Sequence, residues 1–202
     1  VIDALLADIL DDARTDGRAA PIVVLDEAYA EFVGRSLLAL RADYPRLIVI
    51  RTASKAYALA GLRVGFALAR PEVIDTLNPF RSPASVSTVS VTLVTAALRD
   101  DRVAAANVLR VSRERERLRR ELVAAGWSVG PSVTNFLLVD LGSTERAGAT
   151  AEGLLRHGLV PRTFGAGHPL ADHLRLTVRD GEENDRLIAA ARTIETAAGA
   201  DA

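Results

Sequence analysis

Short apolar runs alternate with amphipathic stretches along the first part of the chain. Apolar runs at 22–25, 47–50 and 64–68 predict three strands, and the first two contain no polar residue. Strands without a polar face are typical of a parallel sheet that is covered on both sides. Amphipathic patterns predict helices at 4–17 and 35–43. Strands and helices therefore alternate, as they do in a layered α/β domain.

The pattern changes after the middle of the chain. Residues 78–90, rich in Pro and Ser, predict a loop that leads into a helix, and 100–126 predicts one long helix. We interpret its charged run at 113–121 as a solvated face. The remaining pattern predicts further strands at 134–140, 159–163 and 173–178 and further helices at 147–157 and 182–197. This second half is typical of a compact α+β unit, so we place the two domains at 1–95 and 96–202.

Composition excludes several classes of function. The 25 basic and 26 acidic residues nearly cancel, so no basic excess indicates nucleic acid. Cysteine is absent, which excludes a disulfide framework and a thiolate nucleophile. No apolar run reaches the roughly 18 residues of a membrane span, and Asp3 and Asp8 do not fit a signal peptide. His157, His168 and His173 lack metal-ligand spacing. We expect a cytoplasmic protein without a metal or a membrane partner.

A single lysine, Lys55, stands among 24 arginines. A mutational bias towards arginine explains the arginines but does not explain why one lysine persists. Lysine and arginine differ where a neutral amine must form, because guanidinium does not lose its proton in proteins. Lys55 is therefore a candidate for Schiff-base chemistry, although one surface lysine could also persist by chance.

Polar residues follow the predicted strands at the ends where open α/β sheets build ligand sites. They form two clusters, the first holding Asp26 and Tyr29 and the second holding Thr52, Ser54, Lys55 and Arg63. An amine, a carboxylate, a phenol, hydroxyls and a guanidinium together suit an aldehyde cofactor that carries a protonated ring and a phosphate. These residue types are those that pyridoxal 5'-phosphate requires.

Each of these residues also has a structural interpretation. Asp26 could cap a helix, and Tyr29 could be a core aromatic with its hydroxyl at the surface. Thr52 and Ser54 could be turn residues, and Arg63 could form a surface ion pair.

Three segments carry a resemblance to a known family. The sequence VVLDEAYAEF at 23–32 precedes RTASKAYALAGLRVGFALA at 51–69, and HLRLTVRDGEENDRL follows at 173–187. These motifs resemble those of the fold-type I aminotransferases that depend on pyridoxal phosphate, most of all the histidinol-phosphate aminotransferases. The resemblance implies an α/β fold with part of a large cofactor-binding domain, mostly a parallel sheet with helices, and an α+β small domain.

The resemblance also implies roles for the polar clusters. Lys55 would hold the cofactor as an imine and shuttle a proton between the substrate carbon and the cofactor. Asp26 would pair with the pyridinium nitrogen, and Tyr29 would donate to the phenolate oxygen. The cofactor phosphate would be bound by Ser54 and Arg63, with Thr52 as a weaker candidate.

Two further arginines match positions that bind substrate in the family. Arg175 would grip a carboxylate, and its neighbours Leu174 and Leu176 should face the opposite side of the strand. Arg162, 13 residues earlier, matches a phosphate-binding position. The family usually has an acidic residue where this chain has Thr163 and a small residue where it has Arg179.

The implied reaction is amino transfer between L-histidinol phosphate and 2-oxoglutarate, carried out by a homodimer. The alternatives are a threonine-phosphate decarboxylase, an aromatic amino acid transaminase, and a truncated non-catalytic module of the same fold. Family members are much longer and carry further cofactor-binding residues in an N-terminal part. We therefore expect the 202 residues to be inactive by themselves.

Overall fold

The computed structural model describes residues 4–5, 8–9 and 21–200, with side chains as far as residue 197. Residues 4–5 and 8–9 are helical, and the rest of the helix predicted at 4–17 lies outside the described residues. The chain divides into two compact units, Val1–Ala105 and Ala106–Ala202. The division into domains at 95 and 96 stays a prediction.

The first unit is built on a three-stranded sheet. Its strands, in the order β1-β2-β3, are β1 (Val23–Asp26), β2 (Leu47–Thr52) and β3 (Gly65–Leu68). The first two are parallel, as predicted, with Val23 opposite Leu47. The third strand is antiparallel to β2. A parallel return needs a crossover of a dozen or more residues, usually helical, whereas 53–64 turns back without an α-helix.

Short helices connect and follow the strands of this sheet. They are α1 (Ala30–Val33), α2 (Pro71–Leu77) and α3 (Thr88–Arg99), with 3-10 helices at Leu38–Ala42, Ala60–Leu62 and Asn78–Phe80. The helix predicted at 35–43 is thus the first of the 3-10 helices. Leu47 and Val49 of β2 are completely buried and pack against apolar side chains from β1 and the 3-10 helix that precedes β2. This core fixes β2 beside β1.

The second unit packs helices on one face of an antiparallel sheet. The sheet, in the order β4-β5-β6, consists of β4 (Ser128–Val129), β5 (Phe136–Asp140) and β6 (His173–Thr177). Its helices are α4 (Arg102–Ala124), which begins at the end of the first unit, α5 (Thr144–Arg156) and α6 (Gly181–Ala200). The strand predicted at 159–163 is reduced to one bridge between Arg162 and Arg175.

Alternation along β5 and β6 gives this sheet one buried and one open face. Leu137, Val139, Leu174 and Leu176 are buried, whereas Arg175 between the last two is exposed. The prediction that Leu174 and Leu176 face away from Arg175 is confirmed. The open face is therefore the place where charged side chains of this unit can meet a ligand.

The charged run of α4 is not simply a solvated face. Leu118 and Leu122 are fully buried, and Arg115 between charged neighbours is only 8% exposed. Its guanidinium donates to the carbonyl oxygen of Thr134 at 3.0 Å. The prediction was wrong for this position because the 3.6-residue period turns Arg115 towards the same side as the buried leucines. Within residues 4–5, 8–9 and 21–200, no helix is long and apolar enough to cross a membrane.

Candidate active site

The parallel pairing of β1 and β2 brings the two predicted polar clusters to one edge of the sheet. Asp26 is the last residue of β1 and Thr52 the last residue of β2. Carboxyl ends of adjacent parallel strands meet at the same edge. The Nζ atom of Lys55 lies 5.5 Å from the centre of the Tyr29 ring. Residues separated in sequence by a helix and a strand thus share one site.

The turn after β1 presents Asp26 and Tyr29. One carboxylate oxygen of Asp26 accepts a hydrogen bond from the backbone N–H of Ala28 at 2.9 Å. This bond fixes the exposed carboxylate within a turn, and Asp26 caps no helix because Tyr29 occupies the N-cap of α1. The half-buried Tyr29 ring packs against Phe32, with 6.0 Å between ring centres. Asp26 therefore keeps its carboxylate at the edge of the sheet.

The turn after β2 holds Lys55 by backbone and hydroxyl contacts. The hydroxyl of Thr52 donates to Val64 O at 3.3 Å and accepts from the N–H of Ser54 at 3.1 Å. The carbonyl of Lys55 accepts from Ala58 N at 3.0 Å. Ser54 is a turn residue, as one interpretation predicts, whereas Thr52 ends β2. The turn position of Ser54 is compatible with ligand binding through its hydroxyl. Lys55 thus stands in the loop of residues 53–64, which the Thr52–Val64 bond closes and which we call the lysine loop.

Two residues of this loop have left-handed backbone. Ala58 has φ 57° and Arg63 has φ 55°, in a region that side chains other than glycine seldom occupy. The exposed guanidinium of Arg63 donates to the carbonyl of Ala60 at 3.2 Å, so its contact is with backbone. Strained backbone of this kind is characteristic of ligand sites.

A buried carboxylate lies beneath the site. Glu27 is 8% exposed, and its carboxylate accepts hydrogen bonds from Arg51, Ser36 and the N–H of Leu37, at 2.9, 2.8 and 2.6 Å. Analysis of the sequence missed Glu27, because an acidic residue beside Asp26 gives no periodic signal. Its position between Asp26 and Tyr29 was the one available indication.

An open cleft borders this turn. It encloses about 610 Å³ and is lined by residues of the β1–α1 turn, among them Asp26, Glu27 and Tyr29. Tyr57, two residues after Lys55, packs into a neighbouring apolar cluster. Burial, and then the negative charge of Glu31, raises the pKa of the Tyr57 hydroxyl. Tyr57 is therefore neutral at physiological pH.

The second unit places its two predicted arginines side by side. The backbones of Arg162 and Arg175 exchange both hydrogen bonds, at 3.0 and 2.9 Å. Directly opposed residues in an antiparallel pair project from the same face. Both side chains are exposed there, and the guanidinium of Arg175 lies 5.1 Å from the centre of the Phe136 ring. This pair could hold an anion through two guanidinium groups.

One polar cluster on this sheet was not expected. Asp140 pairs with His173, and their ligand atoms and that of Asp172 lie within 4.8 Å of one another. His173 Nδ1 and a carboxylate oxygen of Asp172 are 2.5 Å apart, and this bond lowers the pKa of Asp172. Strand pairing brings Asp140 to His173, and Asp172 is the sequence neighbour of His173.

Arg179 stands where the family usually has a small residue. Its guanidinium pairs with the carboxylate of Glu183 at 2.8 Å.

Comparison with known proteins gives consistent matches. The profile of the family "Aminotransferase class I and II" matches residues 13–190. A histidinol-phosphate aminotransferase of Thermococcus gammatolerans is 43% identical over 172 residues, which cover 85% of this chain and 47% of that protein. Histidinol-phosphate aminotransferase 2 of Pseudomonas fluorescens is 39% identical over 192 residues, which cover 93% of this chain and 51% of that protein.

A solved structure agrees with these sequences. The histidinol-phosphate aminotransferase of Sinorhizobium meliloti, in complex with pyridoxal-5'-phosphate, superposes with a TM-score of 0.83 at 30% identity. The match covers 95% of this chain and 53% of that chain. This chain therefore spans about half the length of the relatives that it matches. The resemblance inferred from the motifs is confirmed: the chain belongs to the class I and II aminotransferase family.

Proposed function

We propose that this chain belongs to a pyridoxal phosphate-dependent transaminase that exchanges an amino group between L-histidinol phosphate and 2-oxoglutarate. The observation that carries the proposal is the Lys55 amine beside the Tyr29 ring, at the edge where β1 delivers Asp26. The family and the names of the relatives support it.

The donor set of this edge fits the cofactor. An amine can form an imine with an aldehyde, a carboxylate can hold a protonated ring nitrogen, and a phenol can donate to a ring oxygen. Hydroxyls and a guanidinium suit a phosphate. When bound, pyridoxal phosphate supplies an electron sink for charge that develops on the substrate carbon.

The residues of the first unit each have a defined task in this proposal. Lys55 would bind the cofactor and move a proton between the substrate carbon and the cofactor. A neutral amine can perform this step and a guanidinium cannot. Asp26, oriented through Ala28 N–H, holds the proton of the ring nitrogen. Tyr29 would donate a hydrogen bond from its hydroxyl to the phenolate oxygen of the ring and keep its proton.

The cofactor phosphate requires donors at the end of β2. We assign it to Ser54 and Arg63, which stand in the loop closed by Thr52. The Thr52 hydroxyl already donates to Val64 O, so Thr52 supports the loop, and Ser54 and Arg63 make the direct contacts with the phosphate in this proposal. Left-handed backbone at Arg63 orients this end of the loop.

The second unit supplies the substrate clamps in this proposal. Arg175 and Arg162 offer two guanidinium groups on one open sheet face, which suits a carboxylate or a phosphate. Both amino-group donor and acceptor of the proposed reaction are anions, so one pair can serve both in turn. A cytoplasmic homodimer and inactivity of the 202 residues alone remain predictions.

A visible absorption spectrum tests the proposal. The full-length protein that carries these residues is loaded with pyridoxal phosphate, and L-histidinol phosphate is then added. We expect the band of the lysine-bound cofactor to disappear and 2-oxoglutarate to restore it. A band that does not change when histidinol phosphate is added would favour threonine phosphate or an aromatic amino acid as the substrate. Absence of any band in the loaded protein would favour a non-catalytic module.

A further inference from the structure

Glu27 connects three segments of the first unit. Its carboxylate accepts from Ser36 and Leu37 in the connection after α1, and from Arg51 in β2. Its own backbone N–H donates to Ile50 O at 2.9 Å. Side chain and backbone of one residue therefore tie the turn after β1 to the strand that leads to Lys55.

Arg51 completes this connection from the side of β2. Its guanidinium also donates to Glu31 in α1 at 2.7 Å, so it bridges two carboxylates. The Arg51 side chain is 17% exposed and that of Glu27 is 8% exposed. Arg51 directly precedes Thr52, whose hydroxyl closes the lysine loop. The ion pair thus joins the two turns that carry the candidate active-site residues.

Burial makes this connection stiff. A carboxylate removed from water is destabilising unless charged and polar donors satisfy it, and breaking a buried pair is far more costly than breaking an exposed one. Glu27 has an arginine, a hydroxyl and a backbone N–H as donors. Rotating its carboxylate away would break all three of these bonds at once, and this cost favours the observed geometry of the turn.

We propose that Glu27 is a positioning residue for the cofactor site. Its carboxylate, held by Arg51, Ser36 and Leu37, fixes Asp26 on one side of it and Tyr29 on the other relative to Lys55. In this proposal Glu27 acts through Asp26 and Tyr29 and makes no contact of its own with the cofactor or the substrate. The inference rests on the proposed function, because it assigns to Glu27 the alignment of two residues that the proposed cofactor requires.

The experiment measures the pH titration of the visible band in the full-length protein loaded with pyridoxal phosphate. Glu27→Gln weakens the bonds to Arg51 and Ser36. Glu31→Gln is the matched control, because it removes the other carboxylate on Arg51 and leaves the bonds of Glu27 in place. Cofactor release on dilution gives a second readout, and thermal unfolding of both variants reports their folding.

We expect Glu27→Gln to move the titration midpoint upwards. We also expect it to weaken cofactor binding about tenfold, because a displaced Asp26 or Tyr29 loses the equivalent of one charged hydrogen bond to the cofactor. The upward direction follows because a displaced Tyr29 no longer stabilises the phenolate, which favours the protonated imine. Glu31→Gln should titrate like the unchanged protein.

Three results would decide against the inference or its basis. A lower unfolding temperature with an unchanged midpoint and cofactor affinity would make Glu27 a stabilising residue only, and would overturn the inference. If Glu27→Gln does not fold, Ser36→Ala removes one of its donors from an exposed position, and an unchanged midpoint there overturns it too. An unmodified protein without a visible band would instead refute the proposed function.

Discussion

The two units hold their candidate functional residues in different ways. In the first unit, Tyr29 and Lys55 stand in turns beyond the strand ends, and Asp26 is the last residue of β1, paired on one side with Ile50. In the second, Arg175 stands inside a strand and is paired on both sides, with Leu138 and with Arg162. The first unit therefore needs side-chain contacts to define its site, whereas the ladder defines the second.

The two units also use charged side chains for different purposes, the first to hold its turns in place and the second to present positive charge to an anion. The turns of the first unit are secured by a buried carboxylate and by hydroxyl bonds. The open face of the second unit leaves its guanidinium groups exposed, and an aromatic ring supports one of them. A reacting group needs precise alignment, which buried contacts provide in the first unit. An anion can be bound by exposed guanidinium groups, as in the second unit.

The largest expected effect is that of Lys55→Arg, which tests the candidate cofactor site of the first unit. The change keeps a positive charge but removes the neutral amine, so we expect the rate of amino transfer to fall by roughly 10²- to 10⁴-fold. Single-turnover measurement in the full-length loaded protein checks this. A variant that retains its rate would remove Lys55 from the chemistry and with it the contrast between the two units.

Arg175→Gln tests the strand site. Loss of one charged hydrogen bond to the anion should reduce kcat/KM by about 10- to 100-fold, with the larger part in KM. The matched control is Arg179→Gln, since Arg179 is exposed four residues further and already pairs with Glu183. Equal losses in both variants would mean that general positive charge, rather than the Arg162–Arg175 pair, attracts the substrate.

Glu114→Gln separates charges that hold the fold of the second unit from those on its open face. Hydrogen bonds from Arg117 and Asn184 lower the pKa of Glu114, so the ionised form stabilises the native state. We expect a loss of about 1 kcal/mol in the free energy of unfolding near neutral pH. Because the folded pKa is lowered, this contribution is present above the ordinary value of 4.5 and disappears as pH falls through the lowered value.

Urea unfolding of Glu114→Gln and the unchanged protein across this pH range provides the measurement. The two curves should converge in acid and differ at neutral pH, while substrate affinity stays the same. A difference that persists at the lowest pH would show that Glu114 acts through packing and not through its charge.

The smallest expected effect concerns strain in the lysine loop. Ala58→Gly relieves the left-handed backbone at φ 57°, and we expect a net gain of about 0.5 kcal/mol after the greater chain entropy of glycine is subtracted. Ala60→Gly in the adjacent 3-10 helix is the control and should destabilise. Denaturant unfolding compares them. Equal losses in both would show that the loop carries no strain to relieve.

Elements that coincide with a clear apolar pattern were predictable, and the shortest elements without one were not. The three strands of the first unit, β5, β6, α4 and α6 agree closely with the apolar pattern. The four-residue α1 and the two-residue β4 are too short to show a period. Arg115 was misread because a run of charges hides which member turns inwards, and only packing against the core decides that.

The sequence by itself determined the family, the α/β character of the first unit and the residue types of the site, because motif chemistry and apolar periodicity are local properties. Tertiary structure alone decided that Lys55 meets the Tyr29 ring, that Glu27 is buried on Arg51, and that Arg162 lies opposite Arg175. The physical reason is strand pairing: register and direction set which distant residues become neighbours, and neither is encoded in the spacing of the residues themselves.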